Sequence, residues 1–234
     1  MNESHPAAVP AAPGRAPLAL TCVRAASRAG FTLIELLVVI GLLAILTVVL
    51  LPQIINSRPL VYIFSDKANL KWHYQTLDIY RQRCKRFPEE GGHKFVLAPW
   101  VEGIVTDKTP ENRDRYFTPG LNDQRQAELR EEEPSSIWKS FADLSSLDTA
   151  YAGRAKEFLS GELDSDNEAW IANDNEFSPA FRSGSINVLV GDGNVRELDL
   201  LELRKFGYPE EPEEGYKYEV GRASQHPLLK KLEY

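Results

Sequence analysis

Residues 31–51 form one apolar run, FTLIELLVVIGLLAILTVVLL, in a chain that is otherwise mixed and polar. Sixteen of these 21 positions are Phe, Leu, Ile or Val, and no polar face recurs at helical spacing. As a helix the run would reach about 30 Å, the thickness of a bilayer's hydrocarbon core. Each such side chain favours insertion by about 0.3–0.6 kcal/mol near the centre of the bilayer, which sums to several kcal/mol. The single charge, Glu35, sits near one end, where a carboxylate is tolerated better than at mid-span. A cleaved secretory signal fits less well: the run exceeds a typical apolar region of about 7–15 residues, carries a carboxylate and has no A-x-A site beyond it. A buried soluble helix would show a polar face. The pattern therefore predicts a membrane helix over residues 31–51, with Pro52 kinking or melting its end.

Beyond the run, Asn56-Ser57-Arg58-Pro59 reads as a break. From Ser65 a helical period returns through Leu70, Tyr74, Leu77, Cys84 and Phe87, with Ser65-Asp66 as the expected cap and Pro88 and Gly91-Gly92 as the stop. Trp72, Tyr74 and Tyr80 are expected to pack against a core. Residues 103–180 are loop-rich. Glu128 to Glu133 reads as a solvated helical face, Ser135 to Trp138 as the start of a short helix, and Asp148 to Ser160 as another, interrupted by Gly153. The clearest β signal is Ser185 to Val190 and Val195 to Leu198 flanking Asp192-Gly193, a hairpin cue. After Leu203 the chain is acidic and holds Pro209 and Pro212, so 204–234 reads as a flexible tail or loosely packed extension. The expected fold is α+β: a long N-terminal helix, half apolar and half amphipathic, on a small antiparallel sheet with irregular loops.

Charge and chemistry narrow the function classes. The formal charge is −7, and no Lys/Arg-rich block interleaved with aromatics occurs, so nucleic acid is not an expected partner. The cysteines are Cys22 and Cys84 alone, without CxxC or zinc-type spacing. The histidines, His5, His73, His93 and His226, are scattered, and no GxSxG, HExxH or Cys/His pairing is visible. Gly191-Asp192-Gly193 lacks the GxxxxGK[ST] pattern of a phosphate loop. No catalytic residue is assigned and no enzyme is expected. Asp164-Ser165-Asp166-Asn167-Glu168 and Asp174 supply oxygen donors, but Ala169 stands where an EF-hand needs its turn glycine. Arg15, Arg24 and Arg28 precede the apolar run, and Arg58, Lys67 and Lys71 follow it. The balance is nearly even, with Arg24 and Arg28 mildly favouring a cytoplasmic N-terminus.

Arg28-Ala29-Gly30-Phe31-Thr32-Leu33-Ile34-Glu35 resembles the processing site of type IV prepilins and type II secretion pseudopilins. The resemblance covers this junction and the apolar helix. It implies a leader over 1–30, cleavage between Gly30 and Phe31 by a membrane prepilin peptidase, and methylation of the new Phe31 amine by the same enzyme. It also implies that Glu35 guides assembly. In a bundle of parallel helices its carboxylate can pair with the cationic Phe31 amine of a neighbour, since a charge in lipid is costly unless paired. Tyr80, Phe87, Pro88, Gly91, Phe95 and Leu97 fit the outline of the G-type major pseudopilin, up to about residue 100. Arg182 stands where some prepilin-type proteins carry a His ahead of the Asp-Gly turn, which leaves the subgroup open. Some major pseudopilins bind calcium in a C-terminal loop, so calcium stays open as a ligand of the acidic loop; no other cofactor is expected. The expected organisation is a leader (1–30), an assembly helix (31–51), a periplasmic domain (52–203) and an acidic extension (204–234). The expected partners are further copies in a filament, prepilin peptidase, other pseudopilins, inner-membrane secretion components and lipid. The expected site is the inner membrane, spanned once. A type IV pilus subunit for adhesion, motility or DNA uptake is the nearest alternative, and a membrane-anchored enzyme or binding domain is the alternative from another class.

Overall fold

The structure is a computed structural model that describes residues 31–120, 124–161, 163–173, 185–208 and 219–234; the side chains of Val49 and of residues 51–60 lie outside that description. The chain divides into two compact units between Val49 and Leu50. Helix α1 is assigned to Leu33–Cys84. The break expected at Asn56 to Pro59 does not appear, and helix also continues past Pro52. A proline removes one backbone donor, a loss that flanking turns can absorb in a long helix.

In the larger unit, α1 turns one face inward through Ile63, Asp66, Leu70, His73, Leu77 and Tyr80, all buried. These positions alternate by three and four, the spacing of a single helical face. Two of the six, Asp66 and His73, are strongly polar, which is why the apolar period alone misplaces the face. Tyr74 is only partly buried, stacked on Trp170 with ring centroids 5.3 Å apart. Asp66 does not cap a helix start; it is fully buried in mid-helix.

After α1 come α2 (His93–Val101), α3 (Pro110–Asp114) and α4 (Gln124–Glu131), then β1 (Tyr151–Arg154) and β2 (Ala169–Asn173). They are followed by β3 (Ile186–Val190), β4 (Val195–Leu198), α5 (Leu200–Arg204) and β5 (Leu232–Glu233). The five strands pair in the order β4-β3-β2-β1-β5, every pairing antiparallel. This is the expected α+β class, with an N-terminal helix packed on an antiparallel sheet. The β3–β4 hairpin follows its sequence signal. Gly193 has φ 83°, open to glycine without strain, and Asp192 accepts from the Asn194 backbone N–H at 2.8 Å to close the turn.

Both faces of the sheet are covered. Tyr151, Trp170, Ile171 and Leu189 join the cluster that contains Leu70 and Leu77 of α1 and Phe95, Leu97 and Trp100 of α2. Ala152, Ala169, Ala172, Ile186, Val188 and Val190 face the other way, onto Leu203, Leu228, Leu229 and Leu232. The register shifts between Ala169 and Ile171, so Trp170 and Ile171, adjacent in sequence, reach the same cluster. Such a bulge re-aims a side chain that strict alternation would send to the opposite face.

Three further expectations, beyond α1, differ from what is found. The stretch Asp148 to Ser160 is not a helix; it holds β1 between two short 3-10 turns, Ser146–Asp148 and Lys156–Phe158. Gly153 belongs there because a Cβ would collide with the backbone carbonyl of Gly92, where α2 begins. Ser135 to Trp138 starts no helix: Trp138 takes φ 49° and buries its ring edge-on to Trp100 and Tyr116, both 5.2 Å away. The chain end is not a loose tail over residues 219–234. Leu228, Leu229 and Leu232 are buried, and β5 pairs with β1 through Gly153↔Glu233 and Arg154↔Leu232. Residues 209–218, the acidic part of that stretch, lie outside the described residues.

Candidate processing and assembly site

The first turn of α1 is closed by its own side chains. The Thr32 hydroxyl accepts from the Glu35 backbone N–H at 3.3 Å. Glu35 reaches back, and its Oε2 accepts from the Thr32 backbone N–H and from the Thr32 hydroxyl, each at 2.8 Å. This is a reciprocal capping box, which satisfies donors that a helix start leaves without partners. A carboxylate in the first turn also complements the positive end of the helix dipole. Thr32 was not singled out as a site residue in the sequence, although T-x-x-E directly before an apolar run is the signature of this arrangement. Both bonds fall on Oε2, so Oε1 is left to accept from a further donor.

From that cap onward the helix presents apolar side chains on every face. Phe31 is 81% exposed, Leu33 82% and Val48 74%; the apolar side chains between them, and Leu50, are exposed as well. Thr47, the polar side chain in this stretch, donates to the Leu43 carbonyl at 2.7 Å and so offers no free donor outward. Gly41 has nothing within 4 Å of where a Cβ would stand, leaving its surface open to close approach by another helix. Among the described residues, no helix is long and apolar enough to cross a membrane; the expected span includes Val49 and Leu51, whose side chains lie outside them. Phe31 and Glu35 are both placed at this helix start. Gly30, the other side of the expected cut, lies outside the described residues, as does the whole expected leader, 1–30.

The acidic loop is engaged internally. Asp164 accepts from both sides of its carboxylate, Arg81 Nη1 lying 2.5 and 2.6 Å from its two oxygens. Glu168 is paired with Arg154 and, at 2.6 Å, with Lys231. Among the described residues no group of three or more His, Cys, Asp or Glu is disposed to hold a metal ion. Asp174 and Arg182 lie outside them. Cys84 is a free, partly exposed thiol at the end of α1.

Residues 26–51 match the prokaryotic N-terminal methylation motif. No curated protein matches the chain, and no solved structure does. The matched motif supports a type IV pilin-like subunit: a structural protein with a membrane-anchored N-terminus, processed by prepilin peptidase and assembled into filaments.

Proposed function

We propose that this chain is the precursor of a pseudopilin that polymerises into a periplasmic pseudopilus and drives protein export through a type II secretion system. The reading is carried by one observation: a helix start closed by Thr32 and Glu35, within the matched motif, opens onto an apolar surface exposed on all sides. Cleavage between Gly30 and Phe31 frees a cationic amine one helical turn from Glu35. The enzyme that cuts also methylates that amine. The mature subunit crosses the inner membrane once, its N-terminus cytoplasmic and its larger unit periplasmic. On assembly Glu35 keeps its cap through Oε2 and accepts through Oε1 from the Phe31 amine of a neighbour, and that pairing sets the axial register. The outline of Tyr80 to Leu97 and a single cysteine after residue 30, Cys84, favour a pseudopilus of G type over a pilus with a disulfide-closed tip.

Mass spectrometry of the mature chain tests the processing step. The expected N-terminus is Phe31 carrying one methyl group; a chain that begins beyond Pro52 would eliminate the proposal. Deletion of the coding region tests the export role. Loss of secreted enzymes from the medium with surface pili intact is the expected result, whereas lost pili with normal secretion would assign the chain to a type IV pilus instead.

A further inference from the structure

A seam of polar side chains crosses the otherwise apolar contact between α1 and the sheet, with a carboxyl group at its centre. Asp66 is fully buried. Its Oδ1 accepts from the Tyr151 hydroxyl of β1 at 2.7 Å, and its Oδ2 accepts from Asn187 Nδ2 of β3, also at 2.7 Å. Asn173 of β2 joins the seam by accepting from the Asn187 backbone N–H at 3.1 Å. Asn69, one turn along α1, approaches the Tyr151 hydroxyl and the Phe117 carbonyl at 3.4 Å each. One helix and three strands thus meet at a single acid.

Two atoms of this seam are buried without a hydrogen-bond partner: Asn187 Oδ1 and Asn173 Nδ2. Buried polar groups are nearly always paired, so a spare acceptor beside a buried acid needs a reason. The amide of Asn187 supplies one. In one orientation its Nδ2 donates to an ionised Asp66; turned over, its Oδ1 faces Asp66 and accepts from the protonated acid. Tyr151 donates to Oδ1 in both states. The seam can therefore hold either form of the acid without losing its bond to β3. Asn69, which approaches the Tyr151 hydroxyl, also lines an open cavity of about 420 Å³ with Ser65, Ala68 and Thr118.

We infer that Asp66, Tyr151 and Asn187 form a proton-linked latch between α1 and the sheet: the carboxyl is fully buried and its two bonding partners are neutral donors, so taking up a proton removes a buried charge while the bond to β3 is kept. The inference concerns the larger unit alone and does not depend on the filament reading. Burial is the dominant influence on Asp66 and raises it to about 6, although the bonds from Asn187 and Tyr151 and the charge of Lys67 act against it. The neighbouring cavity carries Glu111, Asp114, Arg115 and Arg130 in its lining, and other charged or titratable groups lie nearer the latch. Lys67 is adjacent on α1 and is itself paired with Glu197 of β4 at 2.5 Å. Tyr151 is pushed upward by burial and by Asp66, so it remains a neutral donor. His73 stands behind it, ring centroids 5.3 Å apart, with Nε2 on the Arg115 carbonyl at 3.0 Å. Burial lowers His73 to about 4, so it stays neutral while Asp66 titrates.

The sign follows from the folded state binding its proton more tightly than the unfolded chain does. Between about pH 4 and 6 the folded protein holds the extra proton, so the contribution of Asp66 favours folding on the acid side and is lost as pH rises through about 6. A rise of about two pH units corresponds to about a 100-fold change in the unfolding equilibrium. The test is a ¹³C titration of the aspartate carboxyls in the mature full-length chain in detergent, with unfolding measured in parallel for Asp66→Asn. The expected Asp66 midpoint is about 6, moving higher in Tyr151→Phe because a donor to the charged form is gone. Asp66→Asn should remove about 100-fold of pH dependence between pH 4 and 7. If that variant does not fold, the titration and Tyr151→Phe still decide. A midpoint at the ordinary aspartate value of about 4, or one that Tyr151→Phe leaves unmoved, would overturn the latch.

Discussion

Arg154→Met removes a charge from the junction where the end of the chain returns to the sheet. Arg154 is almost completely buried in β1. It donates through Nε to the Phe158 carbonyl at 2.7 Å and through Nη1 to the Ala169 carbonyl of β2 at 2.8 Å, and its Nη2 pairs with Glu168. Glu168 is held on its other side by Lys231 at 2.6 Å, and Lys231 directly precedes β5. Met fills most of the arginine's volume, so the cavity contribution is small, while two carbonyls and one carboxylate oxygen lose their donors. Removing one partner of a buried pair costs about 3–5 kcal/mol. Glu168 is partly open to water and keeps Lys231, which places the expected loss at the lower end, about 3 kcal/mol. The acid limb gives an independent reading. Burial pushes the Glu168 carboxyl up, but the bonds from Lys231 and Arg154 outweigh it and leave the group below its ordinary value. Its stabilising effect is present above the unfolded pKa of about 4.5 and is lost as pH falls through the folded value. Urea unfolding of the mature chain in detergent, followed by fluorescence at pH 7 and along a series from pH 5 to 3, measures both. The variant should show a lower midpoint at unchanged m-value and a flatter acid limb. A loss below about 1 kcal/mol together with an unchanged acid limb would refute the reasoning.

Glu35→Ala is expected to leave cleavage and methylation intact, fray the first turn of the apolar helix and block incorporation into filaments; Glu35→Gln keeps a capping acceptor without the charge and should also fail to assemble. Shearing and immunodetection of filaments would measure this, and wild-type filaments from Glu35→Gln would remove the charge from the argument. Trp170→Ala deletes a fully buried indole whose Nε1 donates to the Leu163 carbonyl at 2.9 Å and whose rings meet Tyr74 and Phe87. The expected cost is about 3–5 kcal/mol by denaturant unfolding. Gly191→Ala would drive a Cβ into the Leu163 carbonyl, and backbone has to move to admit it. A loss of about 1–3 kcal/mol is expected, read from the shift in thermal midpoint.

What could be read from the sequence follows from how each element is stabilised. The β3–β4 hairpin is written locally, in β-branched residues around Asp192-Gly193, and needs no distant partner to be seen. The apolar helix is written in composition. Strand β1 is not: Tyr-Ala-Gly-Arg has no β-branched residue, and it is a strand because β2 and β5 bond to it on either side. Gly153 is fixed by the Gly92 carbonyl that lies against it, far back in the chain. The inner face of α1 was blurred for a different reason. Asp66 and His73 occupy positions where an apolar period needs Leu or Ile, so the pattern drifted toward Tyr74 and Cys84. At the helix start the signal is complete within four residues, since Thr32 and Glu35 together spell the capping box.

The apolar helix carries the strongest argument about assembly. Among the described residues, fourteen large apolar side chains from Phe31 to Leu50 are exposed in the single chain. Burying each is worth about 1.5–3 kcal/mol, so together they amount to tens of kcal/mol, more than the about 5–15 kcal/mol that holds an ordinary domain folded. Water is therefore a costly resting environment for this surface, and lipid or other copies of the chain are the covers that the proposed function supplies. Those two environments are nearly equivalent for Leu, Ile and Val, because lipid tails are as apolar as the side chains themselves. Transfer from membrane to filament gains little from hydrophobicity and has to be decided by the features that lipid serves poorly. Along this helix those are the open flank at Gly41, where another backbone can approach closely, and the Glu35 carboxylate with an oxygen still free to accept. On the proposed pseudopilin reading, such a helix is stored in the bilayer and drawn into the bundle, and its polar first turn would determine when and in which register.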